Sequence, residues 1–352
     1  MCDTGDPAME TRRPQTVVRV RCMSTQDEKL SLLARVARLY YEADKTQEEI
    51  ASQLGLSRPS VSRLLRAARE AGVVKIIIRE PLSVKVGLEK ALTQHFGLKR
   101  VIVVACSGES ENEVKQKLGE ATAGYLADLV RDGDTIGISW GTTMASVAAA
   151  LIPKAVSGVT VVQLNGAVNL AMASDNAVEI ARKFGDAFGA MTYYLPVPAV
   201  VDNRAVKDAI LSDSNTARIL ELGGKANIAV FTIGYPSASS ILVESGYFAA
   251  DEILALRERG AVGDICSHYL TVDGTVCDPE LDARTIGLEL SKLREKAYAI
   301  AVAGGIHRAK GILGAIRGGF MNVLVTDEMA AKEVLRLAGV PTSAEAPVEL
   351  TE

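Results

Sequence analysis

The sequence runs to 352 residues, enough for two domains, and is 48% hydrophobic but only 5% aromatic, which suits aliphatic strands buried under helices. No apolar run approaches the ~18 residues of a membrane span, and a formal net charge of −4 argues against a chain that binds nucleic acid along its whole length. The five cysteines (Cys2, Cys22, Cys106, Cys266, Cys277) are scattered and lack CxxC spacing, which points to reduced thiols in a cytoplasmic protein without metal or other cofactor.

Residues 1–26 contain Pro7, Pro14 and several charges but no apolar core, so they read as a tail rather than a secretory leader, with Met9 and Met23 as alternative starts. Residues 27–80 are expected to form a helix-turn-helix domain. Its first helix, 28–42, carries Leu32, Leu33, Val36, Leu39 and Tyr40 on one stripe. Thr46 and Glu49 form a capping box for a second helix, 46–54. Gly55 permits the tight turn that follows, Ser57 caps a third helix over 58–71, and Pro59 fits its first turn. Ala51 is small where two helices cross, and Val61, Leu64, Leu65 and Ala68 face inward. The opposite face holds Arg58, Ser60, Ser62, Arg63 and Arg66. Arginine can fork to a guanine edge or hold a phosphate, and serine does either more weakly, so such a helix suits a major groove. Arg58, Ser60, Ser62 and Arg63 are expected nearest the bases, with Arg66 and Lys75 on phosphates. The alternative is a plain helical hairpin with a solvated basic face. From Arg58 to Arg79 there are six basic residues and one acidic, a charge of +5 that leaves −9 on the rest of the chain. A basic reading head on an acidic body follows from that split.

Residues 73–79 are strand-like, Pro81 interrupts, and 81–97 read as a linking helix. Over 98–340, aliphatic runs (101–105, 135–138, 159–164, 191–195, 227–233, 297–303, 322–326) alternate with helical stretches (111–131, 142–151, 176–188, 203–222, 307–316, 327–338). That alternation predicts a doubly wound, Rossmann-like α/β sheet, with 341–352 as a second tail. Ligands in such sheets meet the carboxyl ends of strands, where helix starts present free N–H groups. Two strand ends have that form. The first is Trp140-Gly141-Thr142-Thr143, where the threonines otherwise serve only as helix caps. The second runs from Gly304 and Gly305 to Arg308 and Lys310, where the alternative is surface charge alone. Gln163, Asn165 and Gly166 end a further strand, and Asp264 is either a hydroxyl-binding group or a loop residue.

In combination, LYYEADKTQEEIASQLGLSRPSVSRLLRAAREAGVV, DGDTIGISWGTT, VQLNGAV, AVGDI and AVAGGIHRAKGILGAIRGGFMNVLVTDEMA resemble the SorC family of sugar-responsive bacterial regulators, over about residues 30–338. The resemblance implies a winged-helix-like DNA-binding domain and an effector domain related to phosphosugar isomerases. It also implies double-stranded operator DNA, a phosphorylated sugar or polyol, and self-assembly as a dimer or tetramer, with the effector altering DNA affinity. On that basis Trp140, Gly141, Thr142 and Thr143 hold the phosphate end, Gln163 and Asp264 meet hydroxyls, and a cation sits three residues after Gly305. That cation is usually lysine and is Arg308 here, with Lys310 two residues on; position 142 is often arginine and is threonine here. The expected function is regulation, more as a repressor than an activator, of a carbohydrate or nucleoside catabolic operon. The rival is a sugar-phosphate isomerase or deaminase on the same sheet. It is disfavoured because His95, His268 and His307 form no recognisable acid–base constellation and no GxSxG, HExxH or Walker motif occurs. A ligand-free architectural DNA binder fits poorly with so large an acidic domain.

Overall fold

The computed structural model describes residues 25–74, 83–106, 110–167 and 177–340. The chain divides into two compact units, residues 1–80 and 81–352.

In the first unit the apolar stripes close on one another. Helix α1 (Thr25–Tyr41) packs across α2 (Gln47–Leu54) and α3 (Arg58–Glu70). Val36, Ile50, Ala51, Val61 and Leu65 form one buried cluster, and Leu33, Ala37 and Ala68 another, with Val73 and Val74 against it. Residues 75–82 lie outside the described residues, and with them Lys75 and most of the strand expected over 73–79.

The second unit begins with α4 (Ser83–Phe96), the expected linking helix. It is a packed layer rather than a free connector: Leu88 and Leu92 are buried in the core, and Glu89 Oε1 accepts from Val103 N at 2.9 Å. There follow β1 (Arg100–Val104), α5 (Glu111–Leu129), β2 (Thr135–Ile138), α6 (Thr142–Ala150), β3 (Thr160–Gln163), α7 (Ala177–Phe188), β4 (Met191–Tyr193), α8 (Arg204–Leu211), α9 (Ser214–Lys225) and β5 (Ile228–Thr232). Then come the short helices α10 (Ile241–Glu244) and α11 (Ala250–Glu258), the hairpin β6 (Gly263–Ile265) and β7 (His268–Leu270), and the helical turns α12 (Pro279–Asp282) and α13 (Leu290–Leu293). The chain closes with β8 (Tyr298–Val302), a 3-10 turn (Ile306–Arg308), α14 (Ala309–Arg317), β9 (Val323–Asp327) and α15 (Glu328–Leu337).

Seven strands form one parallel sheet in the order β1-β9-β8-β5-β2-β3-β4, and β6 pairs antiparallel with β7. Alternation along each strand divides the sheet between two cores. On β8, Ala299 and Ala301 face the layer of α4, α14 and α15, while Ile300 and Val302 face α5, α6 and α7. This is the doubly wound arrangement the sequence predicts. From β2 the chain runs outward through β3 and β4, then returns on the other side of β2 through β5, β8 and β9. The carboxyl ends of β2 and β5 therefore flank the point where winding reverses, where a crevice is expected.

Candidate functional site

Helices α2 and α3 are fixed at their starts by short side chains. Thr46 N donates to Glu49 Oε2 at 2.8 Å and Glu49 N to Thr46 Oγ1 at 3.3 Å, closing the capping box of α2. Gly55 adopts φ 65°, and its N–H meets Ala51 O, a turn that costs a residue with a Cβ more. Ser57 Oγ accepts from Ser60 N at 3.3 Å and lies 2.8 Å from Ser60 Oγ, capping α3. Arg58, Pro59, Ser62, Arg63 and Arg66 are exposed. Ser60 is half-buried, within reach of the Ser57 hydroxyl, and accepts from Arg63 Nη2 at 3.3 Å, so it braces the cap and Arg63 as well as standing on that face.

In the second unit, a cleft of about 620 Å³ opens at the ends of β2 and β5, a size suited to a small metabolite. Trp140, Gly141, Thr142, Thr143, Asn165, Asp264 and Arg308 all line it. Gly141 adopts φ 123°, in a region where L side chains are strained, although a Cβ would meet nothing closer than Thr232 Oγ1 at 3.8 Å. The first bond of α6 is Ala145 N to Gly141 O at 2.8 Å, so the N–H groups of Thr142, Thr143 and Met144 have no carbonyl of their own helix to meet. Trp140 Nε1 donates to Gly166 O at 2.8 Å, which fixes the indole at the cleft wall. Asn165 is 2% exposed, and its Oδ1, like the Ser240 Oγ that also lines the cleft, is buried without a hydrogen-bond partner. Such atoms ordinarily find one.

Asp264 lies against Gly234, where a Cβ would stand 2.0 Å from the carboxylate Oδ1, so a side chain there would have to push the carboxylate aside. Ser267 N donates to Asp264 Oδ2 at 3.3 Å. Burial pushes the Asp264 carboxyl up to about 6, against the opposing pull of that amide and of the His268 and Arg308 charges. The hairpin turn beside it places Cys266 at φ 51° and Ser267 at φ 71°. Two adjacent non-glycine residues in the left-handed region store strain of order 1–3 kcal/mol each, and both line the cleft. Arg308 Nη1 donates to Gly304 O at 3.0 Å and Nη2 to Glu111 Oε1 at 2.9 Å. His307 stands edge-on to Tyr235, with ring centroids 5.1 Å apart, and burial, then the Arg308 charge, hold its imidazole below the usual range.

Four expected residues are not in the lining. Gln163 is buried, Nε2 donating to Ala177 O at 2.8 Å and Oε1 accepting from Leu195 N at 2.7 Å, so its amide ties the sheet end to its flanking segments. Gly166 is a packing glycine: a Cβ would fall 2.3 Å from Pro198 O. Gly305 turns at φ 89°, but its N–H already donates to Asp327 Oδ2, so the second anion cradle is partly filled by the protein's own carboxylate. Lys310 is exposed and lies within electrostatic range of Glu333 on α15. Sequence reasoning in turn missed Glu111, Lys115, Thr232, Gly234, Tyr235, Ser240 and Ser267. Thr232, the last residue of β5, and Gly234, two residues beyond it, were accessible to the strand-end rule that located Gly141. The others are brought in by the fold.

Among the described residues, no group of three or more His, Cys, Asp or Glu could hold a metal ion, and no helix is long and apolar enough to cross a membrane. A family model described as a putative sugar-binding domain matches residues 80–336, and one described as a Crp-like helix-turn-helix domain matches residues 30–85. The chain is 40% identical over 308 residues to the deoxyribonucleoside regulator of Bacillus subtilis, covering 88% of this chain and 98% of the relative. It is 32% identical over 317 residues to the sorbitol operon regulator of Klebsiella pneumoniae, covering 89% and 100%. The crystal structure of full-length SorC from Klebsiella pneumoniae superposes with a TM-score of 0.74 at 30% identity, covering 87% of this chain and 98% of that one. The chain belongs to the SorC family. As a SorC-family protein it is a DNA-binding transcriptional regulator: the three-helix unit is its helix-turn-helix domain and the doubly wound unit its sugar-binding domain.

Proposed function

We propose that this SorC-family regulator represses a carbohydrate or nucleoside catabolic operon and releases its operator when a phosphorylated sugar or polyol enters the cleft. The domain limits proposed are 27–80 for DNA reading, with 81–97 leading into an effector domain at 98–340. Arg58, Ser62 and Arg63 face base edges and Arg66 faces phosphate, with Pro59 and Ser60 setting the pitch of α3. In the cleft, the start of α6 with Thr142 and Thr143, together with Arg308, receives the anion. Asn165 and Asp264 receive hydroxyls and Trp140 flanks the sugar ring. The observation that carries the reading is Asn165: an almost fully buried amide oxygen without a partner, at the wall of a cleft that also holds a helix start whose first amides have no carbonyl of their own helix to meet. The relatives whose names refer to deoxyribonucleosides and to a sorbitol operon support the choice of ligand class. Binding rather than turnover is the proposed use of the cleft. Self-association as a dimer or tetramer supplies the second reading helix that a short palindromic operator requires.

Two measurements test this. Thermal unfolding against a panel of sugar and polyol phosphates should show one compound raising the midpoint in proportion to the logarithm of its concentration. The same compound should weaken binding to a fragment of the chain's own promoter by ~10–100-fold, equivalent to a preference of ~1.4–2.8 kcal/mol for one state. A panel without a stabilising compound, or a stabiliser that leaves promoter affinity unchanged, overturns the effector assignment.

A further inference from the structure

We propose that Glu111 is a resident competitor for the anion subsite of the cleft and sets its preference for phosphorylated over neutral ligands; this rests on the effector reading above. Arg308 Nη2 and Lys115 Nζ approach the same atom, Glu111 Oε1, at 2.9 and 3.3 Å. The two cations are well covered, each side chain 16% exposed, whereas the Glu111 side chain is 54% exposed. Two sheltered positive charges thus face a carboxylate that is free to swing into water.

The parts differ in how firmly they are held. The guanidinium is anchored a second time, through Nη1 to Gly304 O at 3.0 Å, so it keeps its place when Glu111 leaves. Glu111 carries no capping duty. The start of α5 is closed by Ser110 and Glu113, with Ser110 N to Glu113 Oε2 at 2.8 Å and Glu113 N to Ser110 Oγ at 3.4 Å. Burial raises the Glu111 carboxyl, but the hydrogen bond and charge of Arg308, joined by Lys115, outweigh it and hold the group below its ordinary value. It therefore remains an anion while it occupies the site.

The exchange follows from charge. Within the Glu111–Arg308–Lys115 cluster, two cations against one carboxylate leave a surplus of one positive charge, and the Asp264 carboxylate elsewhere in the cleft lining also feels Arg308. A neutral sugar that displaced Glu111 would strand both cations, which a covered site tolerates poorly. A phosphate dianion that displaces it neutralises the surplus and offers several acceptor oxygens to the Arg308 fork. The buried Asp327 carboxylate, fixed on the Gly305 N–H and on the start of α15, keeps its position throughout. Glu111 is the carboxylate that gives way.

The test uses the full-length protein with inorganic phosphate as the probe, titrated calorimetrically at constant ionic strength. Glu111→Gln should bind phosphate about ten-fold more tightly than the unmodified chain, and the gain should vanish when Arg308→Gln is added. Circular dichroism and the unfolding midpoint check that each variant folds. Equal or weaker phosphate binding by Glu111→Gln overturns the proposal, as does a gain that survives Arg308→Gln. If the gain appears but no sugar phosphate binds either protein, the competitor role stands and the sugar-phosphate reading falls.

Discussion

At Asp264 a carboxylate is held in a wall of the cleft where water solvates it poorly, beside two residues at positive φ. Its pKa of about 6, raised from 3.8, means that the folded chain binds more protons than the unfolded chain between roughly pH 4 and 6. Its contribution to stability is complete below the unfolded value and is lost as pH rises through the folded one. At neutral pH the ionised group is therefore a burden of up to about 3 kcal/mol. Asp264→Asn keeps an acceptor for Ser267 N and removes that burden. The expected outcome is a higher unfolding midpoint at pH 7.5, a difference that shrinks toward pH 4, and loss of the ligand-induced shift. A midpoint that falls equally at both pH values would show that the carboxylate is structural instead. The same local physics explains which residues were legible in the sequence. Gly141 declared itself because a strand end meets a helix start there. Gln163 and Gly166 ended a strand in the same way, but nothing in a single strand says whether an amide turns into a cleft or between layers.

Elements were legible wherever one physical signal dominated. The strands of the main sheet other than the edge strand β4, whose Met191 is exposed, are largely buried and read as aliphatic runs, and the ends of all seven fall within two residues of expectation. The hairpin β6–β7 is three residues a side and carries Asp264 and His268, too short and polar to register as alternation. The single helix expected over 203–222 is two, because Asp213 Oδ1 accepts from Asn215 N and Thr216 N at 3.1 and 2.8 Å and starts a new one. The helix expected from 307 opens as a 3-10 turn, Ile306–Arg308, which aims Arg308 at the cleft. In the reading unit the caps were visible because each depends on residues three apart. Removing one should matter in proportion: Thr46→Ala deletes the hydroxyl that accepts from Glu49 N, leaves the Thr46 N–H bond to the Glu49 carboxylate in place, and should cost about 1 kcal/mol of unfolding free energy, read as a lower denaturant midpoint at unchanged slope. A loss below a few tenths of a kcal/mol would mean that the tertiary packing of α2 alone specifies its start.

For the molecule as a whole, the separation of charge is the property that reaches furthest. The segment carrying α3 is strongly positive while the remainder is negative, so DNA attraction should be confined to one module and steeply dependent on salt. Arg66→Ala, if it removes a phosphate contact, should lower the slope of log affinity against log salt by about 1 and weaken all sequences alike. Arg63→Ala should instead cost roughly 1–3 kcal/mol on the operator and less on unrelated DNA. Identical losses on both DNAs for both variants would reverse the proposed orientation of α3.

Within the second unit, Gly119 on α5 sits so near α6 that a Cβ would lie 2.5 Å from Ser146 O and 2.9 Å from Val147 N. The two helices touch main chain to main chain, with no cushion of side chains to absorb a shift. One carries Glu111 and Lys115 and the other the amides of Thr142–Met144. A ligand that moved one helix start would have to move the other with it, because no side chain lies between the two backbones at Gly119.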